Sequence, residues 1–158
     1  MKNGNSLARI LLVDDNANDV ELTLDAFREQ RLSNEIEVAR SGQAALDRLF
    51  GRTRQPDGGR FPLPDLILLD IKMPGIDGFE VLRQIKGAPI LRRIPVVILT
   101  SSREEGDRAM TYDTGANSYL VKPVSFDGML EIVRKIDDYW LTINVRPPLP
   151  DDDGEAPV

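Results

Sequence analysis

Four apolar residues, Leu66-Ile67-Leu68-Leu69, run without a polar break and stop on Asp70. A run this short and this uniform fits a strand buried on both faces, the kind found inside a parallel sheet. Behind it stand Pro74, Gly75, Asp77 and Gly78, residues that punctuate turns. One carboxylate is therefore placed where a buried strand gives way to a loop. In open parallel sheets that is where ligands bind.

The same pattern recurs along the chain. Ile10-Leu11-Leu12-Val13 ends on Asp14 and Asp15, and Asn16 or Asn18 can cap a helix over about residues 19–30, carrying Val20, Leu24 and Phe27. Ser33 and Asn34 interrupt, residues 35–39 alternate as a shorter strand, and Ser41 caps a second helix with Ala44, Ala45, Leu46, Leu49 and Phe50. Residues 51–64, rich in Gly, Pro and Arg, read as an exposed loop. Phe79, Val81, Leu82 and Ile85 form a third helix that Gly87 is placed to end. Val96-Val97-Ile98-Leu99 is a strand ending on Thr100, and residues 104–114 form a weakly periodic helix before Gly115. Ser118-Tyr119-Leu120-Val121 is the last strand, followed by Lys122-Pro123, and Ser125 caps a final helix reaching about residue 143. Strands alternating with helices predict an α/β fold: a five-stranded parallel sheet with five helices on its two faces, joined by right-handed crossovers. Asp14, Asp15, Asp70, Thr100 and Lys122 then collect at one edge of that sheet.

Composition narrows the chemistry this edge can perform. The 158 residues suit one domain, and they include no cysteine and no histidine. That excludes disulfides, thiolate metal sites, a Ser-His-Asp triad and every His-ligated metal. The net charge of −6 and isoelectric point near 4.7 give no basic surface for nucleic acid. No stretch approaches the roughly 20 apolar residues that span a bilayer, and residues 1–6 are polar, so a soluble cytoplasmic chain without membrane attachment is expected. Clustered carboxylates repel, and at least one pKa should rise unless a cation intervenes. A divalent ion such as Mg²⁺ with oxygen ligands resolves the conflict. A carboxylate can also attack phosphorus, and Lys122 and Thr100 are suitable types to meet phosphoryl oxygens. Taken singly, these residues read as solvated strand ends, a turn aspartate, an ordinary threonine and a surface lysine. Their joint placement carries the information.

The set of Asp14-Asp15 after an apolar strand, Asp70 with Met73-Pro74-Gly75 and Asp77-Gly78 behind it, Thr100 at a strand end and Lys122-Pro123 resembles the receiver domain of two-component response regulators. The resemblance spans about residues 8–139. It implies a flavodoxin-like, three-layer sandwich with strand order 2-1-3-4-5 and a receiver domain over residues 1–145; Pro147, Pro148, Pro150 and the acidic Asp151, Asp152 and Asp153 mark residues 146–158 as a disordered tail. No DNA-binding segment follows, so the chain looks like a stand-alone receiver. The family pattern makes Asp70 the phosphoacceptor and Asp15 the main Mg²⁺ carboxylate, with Asp14 acting mostly through water and the backbone carbonyl of Lys72 completing the protein ligands. It makes Thr100 and Tyr119 the switch pair and Lys122 the partner of the acceptor and then of its phosphoryl group. It also implies a cis bond before Pro123, a sensor histidine kinase as phosphodonor, and the first helix as that kinase's docking surface.

Some features depart from the commonest pattern: Lys72 two residues after the acceptor, Ser101 beside the switch, the long 51–64 loop and the long last helix. With the ending Asp137-Asp138-Tyr139-Trp140-Leu141, they look like the small receivers that serve phytochrome-type photoreceptor kinases. In the last helix Phe126, Leu130 and Val133 form one apolar stripe that covers the sheet. Ile132, Ile136, Tyr139, Trp140 and Ile143 form a second, which predicts a homodimer through the fourth helix, fifth strand and fifth helix with Tyr139 and Trp140 as anchors. Two rival functions compete with a phosphorylation switch. A haloacid-dehalogenase-type phosphatase needs a general-acid Asp where Lys72 stands. A binding scaffold that takes no phosphate would not need Asp15, Asp70, Thr100 and Lys122 together.

Overall fold

The structure is a computed structural model that describes residues 8–30 and 34–150, apart from the side chains of Thr142 and Ile143. Five parallel strands form one sheet: β1 (Ala8–Val13), β2 (Asn34–Ala39), β3 (Leu66–Leu69), β4 (Val96–Thr100) and β5 (Ser118–Val121). Their order is β2-β1-β3-β4-β5. In register, Val13 faces Leu69, Leu69 faces Ile98 and Thr100 faces Val121, so the carboxyl ends of the strands form a shared rim.

The apolar runs are buried on both faces because successive side chains point to opposite sides of a strand. Leu11, Val13, Ile67, Leu69, Val96 and Ile98 enter one core, covered by α2 (Gly42–Leu49) and α3 (Gly78–Gly87). Ile10, Leu12, Leu66, Leu68 and Val97 enter the other, covered by α1 (Ala17–Glu29) and α5 (Phe126–Ile136). Edge strand β2 alternates, with Glu35 and Glu37 exposed. α4 (Glu105–Thr114) buries only Thr111, which explains its weak periodicity in the sequence. The left-handed Gly115 at φ 115° closes it.

Asn16, rather than Asn18, caps α1; Ser41, Asp77 and Ser125 cap α2, α3 and α5. α3 ends at Gly87, with Ala88 returning to extended backbone.

Five expectations are corrected. In α5 the buried stripe is Met129, Val133 and Ile136, while Phe126 is 38% exposed. Ile136, expected to face a second copy, instead packs into the core beside α1, and Ile132 is partly covered by the same core. The helix continues as a π-helical turn over Asp137–Ile143, where Tyr139 and Trp140 meet edge to face at 5.0 Å.

The 51–64 segment is a small hairpin rather than a plain loop. Arg54 bridges Arg60, and the Gln55 N–H donates to the Gly59 carbonyl at 2.9 Å. The Arg48 guanidinium anchors its far end, stacking 4.2 Å from the Phe61 ring and donating to Glu37 at 2.5 and 2.7 Å and to the Pro62 carbonyl at 3.2 Å.

Residues 146–150, expected to be loose, lie against the domain. Arg146 reaches Asp65 at 3.5 Å, Arg93 donates to the Pro148 carbonyl at 3.2 Å and Leu149 packs on the core. The rest of that tail, residues 151–158, lies outside the described residues, as do Ser33 and the Ile143 side chain. No cis peptide bond occurs among the described residues, so the bond before Pro123 is trans, the form favoured by about 0.5–1 kcal/mol in X–Pro peptides.

Candidate functional site

Each residue at the strand-end rim is delivered by backbone pairing. Asp14 follows β1 and its N–H donates to the Ala39 carbonyl at 3.1 Å; Asp70 follows β3 and donates to Val13 at 2.9 Å. Lys122 follows β5 and its N–H donates to the Thr100 carbonyl at 2.7 Å. The turn after Asp70 brings α3 back so closely that a Cβ on Gly78 would strike the Asp70 carbonyl oxygen. Glycine is thus required at the start of α3 by close approach, not by backbone angle.

The Lys122 ammonium lies at the centre. It is 2.7 Å from Asp14 Oδ2, 2.8 Å from Asp70 Oδ2 and 2.9 Å from Asp19 Oδ2. Asp14, Asp70 and Lys122 are all buried, while Asp15 is exposed. Burial opposes charge on Lys122, but the hydrogen bonds it donates to Asp14, Asp70 and Asp19 outweigh it and hold the ammonium above its ordinary range. Asp14 is shifted the other way for a carboxylate: burial pushes it up, and the Lys122 and Asn16 hydrogen bonds offset only part of that. One ammonium does not neutralise this set.

Carboxylate oxygens of Asp14, Asp15 and Asp70 lie within 4.8 Å of one another. Oxygen-only donors at that spacing fit a hard divalent cation. Burial raises Asp14 most, and the neighbouring Asp70 charge adds a smaller push in the same direction. Among the described residues, this is the group of acidic side chains arranged to hold a metal.

A cleft of about 520 Å³ opens over the cluster, lined in part by Asp15, Asp19, Asp70, Lys72, Thr100 and Lys122. The Thr100 hydroxyl accepts from the Ser102 N–H at 3.3 Å, and Tyr119 donates its hydroxyl to the Ser102 carbonyl at 2.9 Å. The structure therefore unites Asp14, Asp15, Asp70, Lys72, Thr100 and Lys122 in one place and sets Tyr119 one residue contact behind them. Tyr139, at 52% exposure, and Trp140, packed against the α1–α5 core, belong to the far end of α5.

Sequence reasoning missed Asp19. Its backbone N–H is capped by Asn16, which places its carboxylate over the cleft one turn into α1. The spacing Asn16-x-x-Asp19 directly after the Asp pair was the available signal. Ser102 and Asp107 were missed as well, because neither carries a signal in the sequence alone.

Comparison with known proteins gives the same answer. Residues 10–134 match the response regulator receiver domain family. The chain is 44% identical over 138 residues to the probable methanogenesis regulatory protein FilR2 of Methanothrix harundinacea, covering 87% of this chain and 86% of that one. It is 38% identical over 132 residues to the response regulator Rcp1 of Synechocystis, covering 84% and 88%. Among solved structures, the phosphorylated cyanobacterial phytochrome response regulator RcpA superposes with a TM-score of 0.82 at 36% identity, over 90% of this chain and 100% of that one. The Mn²⁺-bound form of Rcp1 does so with a TM-score of 0.78 at 35% identity, over 89% and 99%. With a parallel sheet in the order 2-1-3-4-5 and an acidic rim closed by one buried lysine, this chain belongs to the response regulator receiver domain family.

Proposed function

We propose that the chain is a phosphorylation switch in which Asp70 accepts a phosphoryl group from a partner histidine kinase. The observation that carries this reading is the Lys122 ammonium at 2.8 Å from Asp70, buried beneath an open cleft. That arrangement leaves the second Asp70 oxygen, Oδ1, free of Lys122; the Lys72 N–H donates to it at 3.4 Å, and Asp70 lines the cleft. In the transfer, an Asp70 oxygen forms a bond to phosphorus as the phosphorus–nitrogen bond of phosphohistidine breaks, and the imidazole leaves with that electron pair. Lys122 and the Thr100 hydroxyl then meet phosphoryl oxygens, the hydroxyl leaving the Ser102 N–H to do so.

Asp14, Asp15, Asp70 and the Lys72 carbonyl would hold a divalent cation, Mg²⁺ in the cell. When bound, the ion neutralises the carboxylates and draws charge from the phosphoryl oxygens. Lys72 stands where a phosphatase of the aspartate-nucleophile type needs a general acid, which favours a switch over a turnover enzyme. Movement of Thr100 frees space for Tyr119 to turn inward, and α4, held by little apolar burial, changes its surface.

The likeness to Rcp1 and RcpA supports a phytochrome-type photoreceptor as the kinase, docking on α1. Tyr139 and Trp140 support a homodimer through α4, β5 and α5, with Ile132 at its margin and Ile136 outside it. Acetyl phosphate with Mg²⁺ should add one phosphoryl group by intact mass, and Asp70→Asn should abolish the addition. A wild-type chain that stays unmodified, also with a light-activated kinase, would overturn the reading. Trp140→Ala should shift the solution mass from dimer to monomer.

A further inference from the structure

Lys72 has a partner that its place in the sequence does not announce. Its ammonium lies 3.1 Å from Asp107 Oδ2, in the first turn of α4. The same oxygen accepts from the Ser102 hydroxyl at 2.6 Å. Ser102 is in turn the residue whose N–H meets the Thr100 hydroxyl and whose carbonyl takes the Tyr119 hydroxyl. One run of polar contacts thus joins the loop after Asp70 to α4 and, through a single serine, to both Thr100 and Tyr119.

Both ends of the ion pair are charged. The Ser102 hydroxyl and then Lys72 hold Asp107 below the usual carboxylate range, and Asp107 raises Lys72. The Asp107 side chain is 12% exposed, whereas that of Lys72 is 59% exposed and lines the cleft with Asp70. The lysine therefore stands between two places for an anion: Asp107 on the α4 side, and a phosphorylated Asp70 on the other. A phosphoryl group brings about −1.5 to −2 charge, more than a carboxylate offers. α4 has little else to hold it, with Thr111 its sole buried residue and no side-chain N-cap.

We propose that Asp107 is a latch: it holds Lys72 against α4 and, through Ser102, keeps Thr100 and Tyr119 in their resting positions, until a phosphoryl group on Asp70 takes Lys72 away. The inference rests on the reading of Asp70 as phosphoacceptor. Asp107 and Lys72 act as positioning residues, and opening exchanges one ion pair for another. Removing Asp107 favours the phosphorylated conformation, because the resting one loses a contact that the other never had. Removing Lys72 takes a contact from both, so it brings no such gain.

The test is a titration of beryllofluoride in the presence of Mg²⁺, followed by calorimetry, beside hydrogen exchange of residues 101–110 without either ligand. For Asp107→Asn, affinity should rise about three-fold, the scale of an ion pair whose lysine is exposed, and α4 amides should exchange faster. Lys72→Met should bind no tighter than wild type, and the double variant should match Lys72→Met. Glu105→Gln, which removes another first-turn acid of α4, should bind as wild type does. The latch is overturned if Asp107→Asn leaves both readouts unchanged, if Glu105→Gln reproduces its effect, or if Lys72→Met tightens binding equally. If wild type fails to bind beryllofluoride, the acceptor reading falls and the opening step with it; faster exchange in Asp107→Asn would still report the resting contact on its own.

Discussion

At the scale of single residues, Lys122 is the group on which the rim depends. Three carboxylates lie within 2.9 Å of its ammonium, and its side chain is only 5% exposed. Removing one partner of a buried ionic cluster leaves uncompensated charge, whereas removing one of several like charges relieves repulsion. Lys122→Met should therefore lower the unfolding free energy by about 3 kcal/mol, at the low end for broken buried pairs because Asp14 can take up a proton. Asp70→Asn should change it by less than about 0.5 kcal/mol, since Lys122 keeps Asp14 and Asp19. Urea unfolding at pH 7 without divalent cations measures both, and an equal loss in the two variants would contradict the argument. The pH dependence has a definite sign. The folded-state pKa of Lys122 is raised above its ordinary 10.5, so its contribution is complete below that pH and is lost above it. The gap between wild type and Lys122→Met should stay flat from pH 7 to pH 10 and narrow at higher pH.

At the scale of elements, α5 shows how a helix can be recognised while its orientation is misjudged. Phe126, Leu130 and Val133 are spaced i, i+4, i+7, and so are Met129, Val133 and Ile136. Both stripes are apolar and share Val133, so periodicity predicts a helix but allows two rotations of it. Packing against α1 selects the second stripe, with Gln30 donating to the Leu130 carbonyl at 3.1 Å to hold the pair of helices in place. Met129→Ala should cost about 2–4 kcal/mol as a large-to-small change in a buried site. Phe126→Ala should cost less than about 1 kcal/mol. Thermal or urea unfolding of the two variants decides the rotation, and the reverse ranking would restore the first stripe. Helices α2 and α3 were easier to read because their caps and core positions agree: Ser41 and Asp77 each accept the N–H three residues on.

At the scale of the whole molecule, residues 144–150 cross from the end of α5 to the opposite core, where Leu149 packs and Arg93 holds the Pro148 carbonyl. Ending the chain after Asn144 should lower stability by about 1–2 kcal/mol, the burial of roughly one large apolar side chain. Leu149→Ala should account for most of that loss; an unchanged melting temperature in the shortened chain would show that the contact contributes nothing. The expectation of a loose segment came from its prolines, which do exclude helix and strand but do not prevent an extended chain from lying against a surface. The sequence by itself determined the strands, the caps of α2 and α5, and the meeting of Asp14, Asp15, Asp70, Thr100 and Lys122 at one rim. Those features follow from local periodicity and from the rule that parallel strands end on the same side. Only the tertiary structure decided that Lys122 also meets Asp19, 103 positions away, that Lys72 turns to Asp107, and which face of α5 is buried. These depend on the direction and reach of flexible side chains across separate elements, which hydrophobic spacing along one strand or helix does not encode.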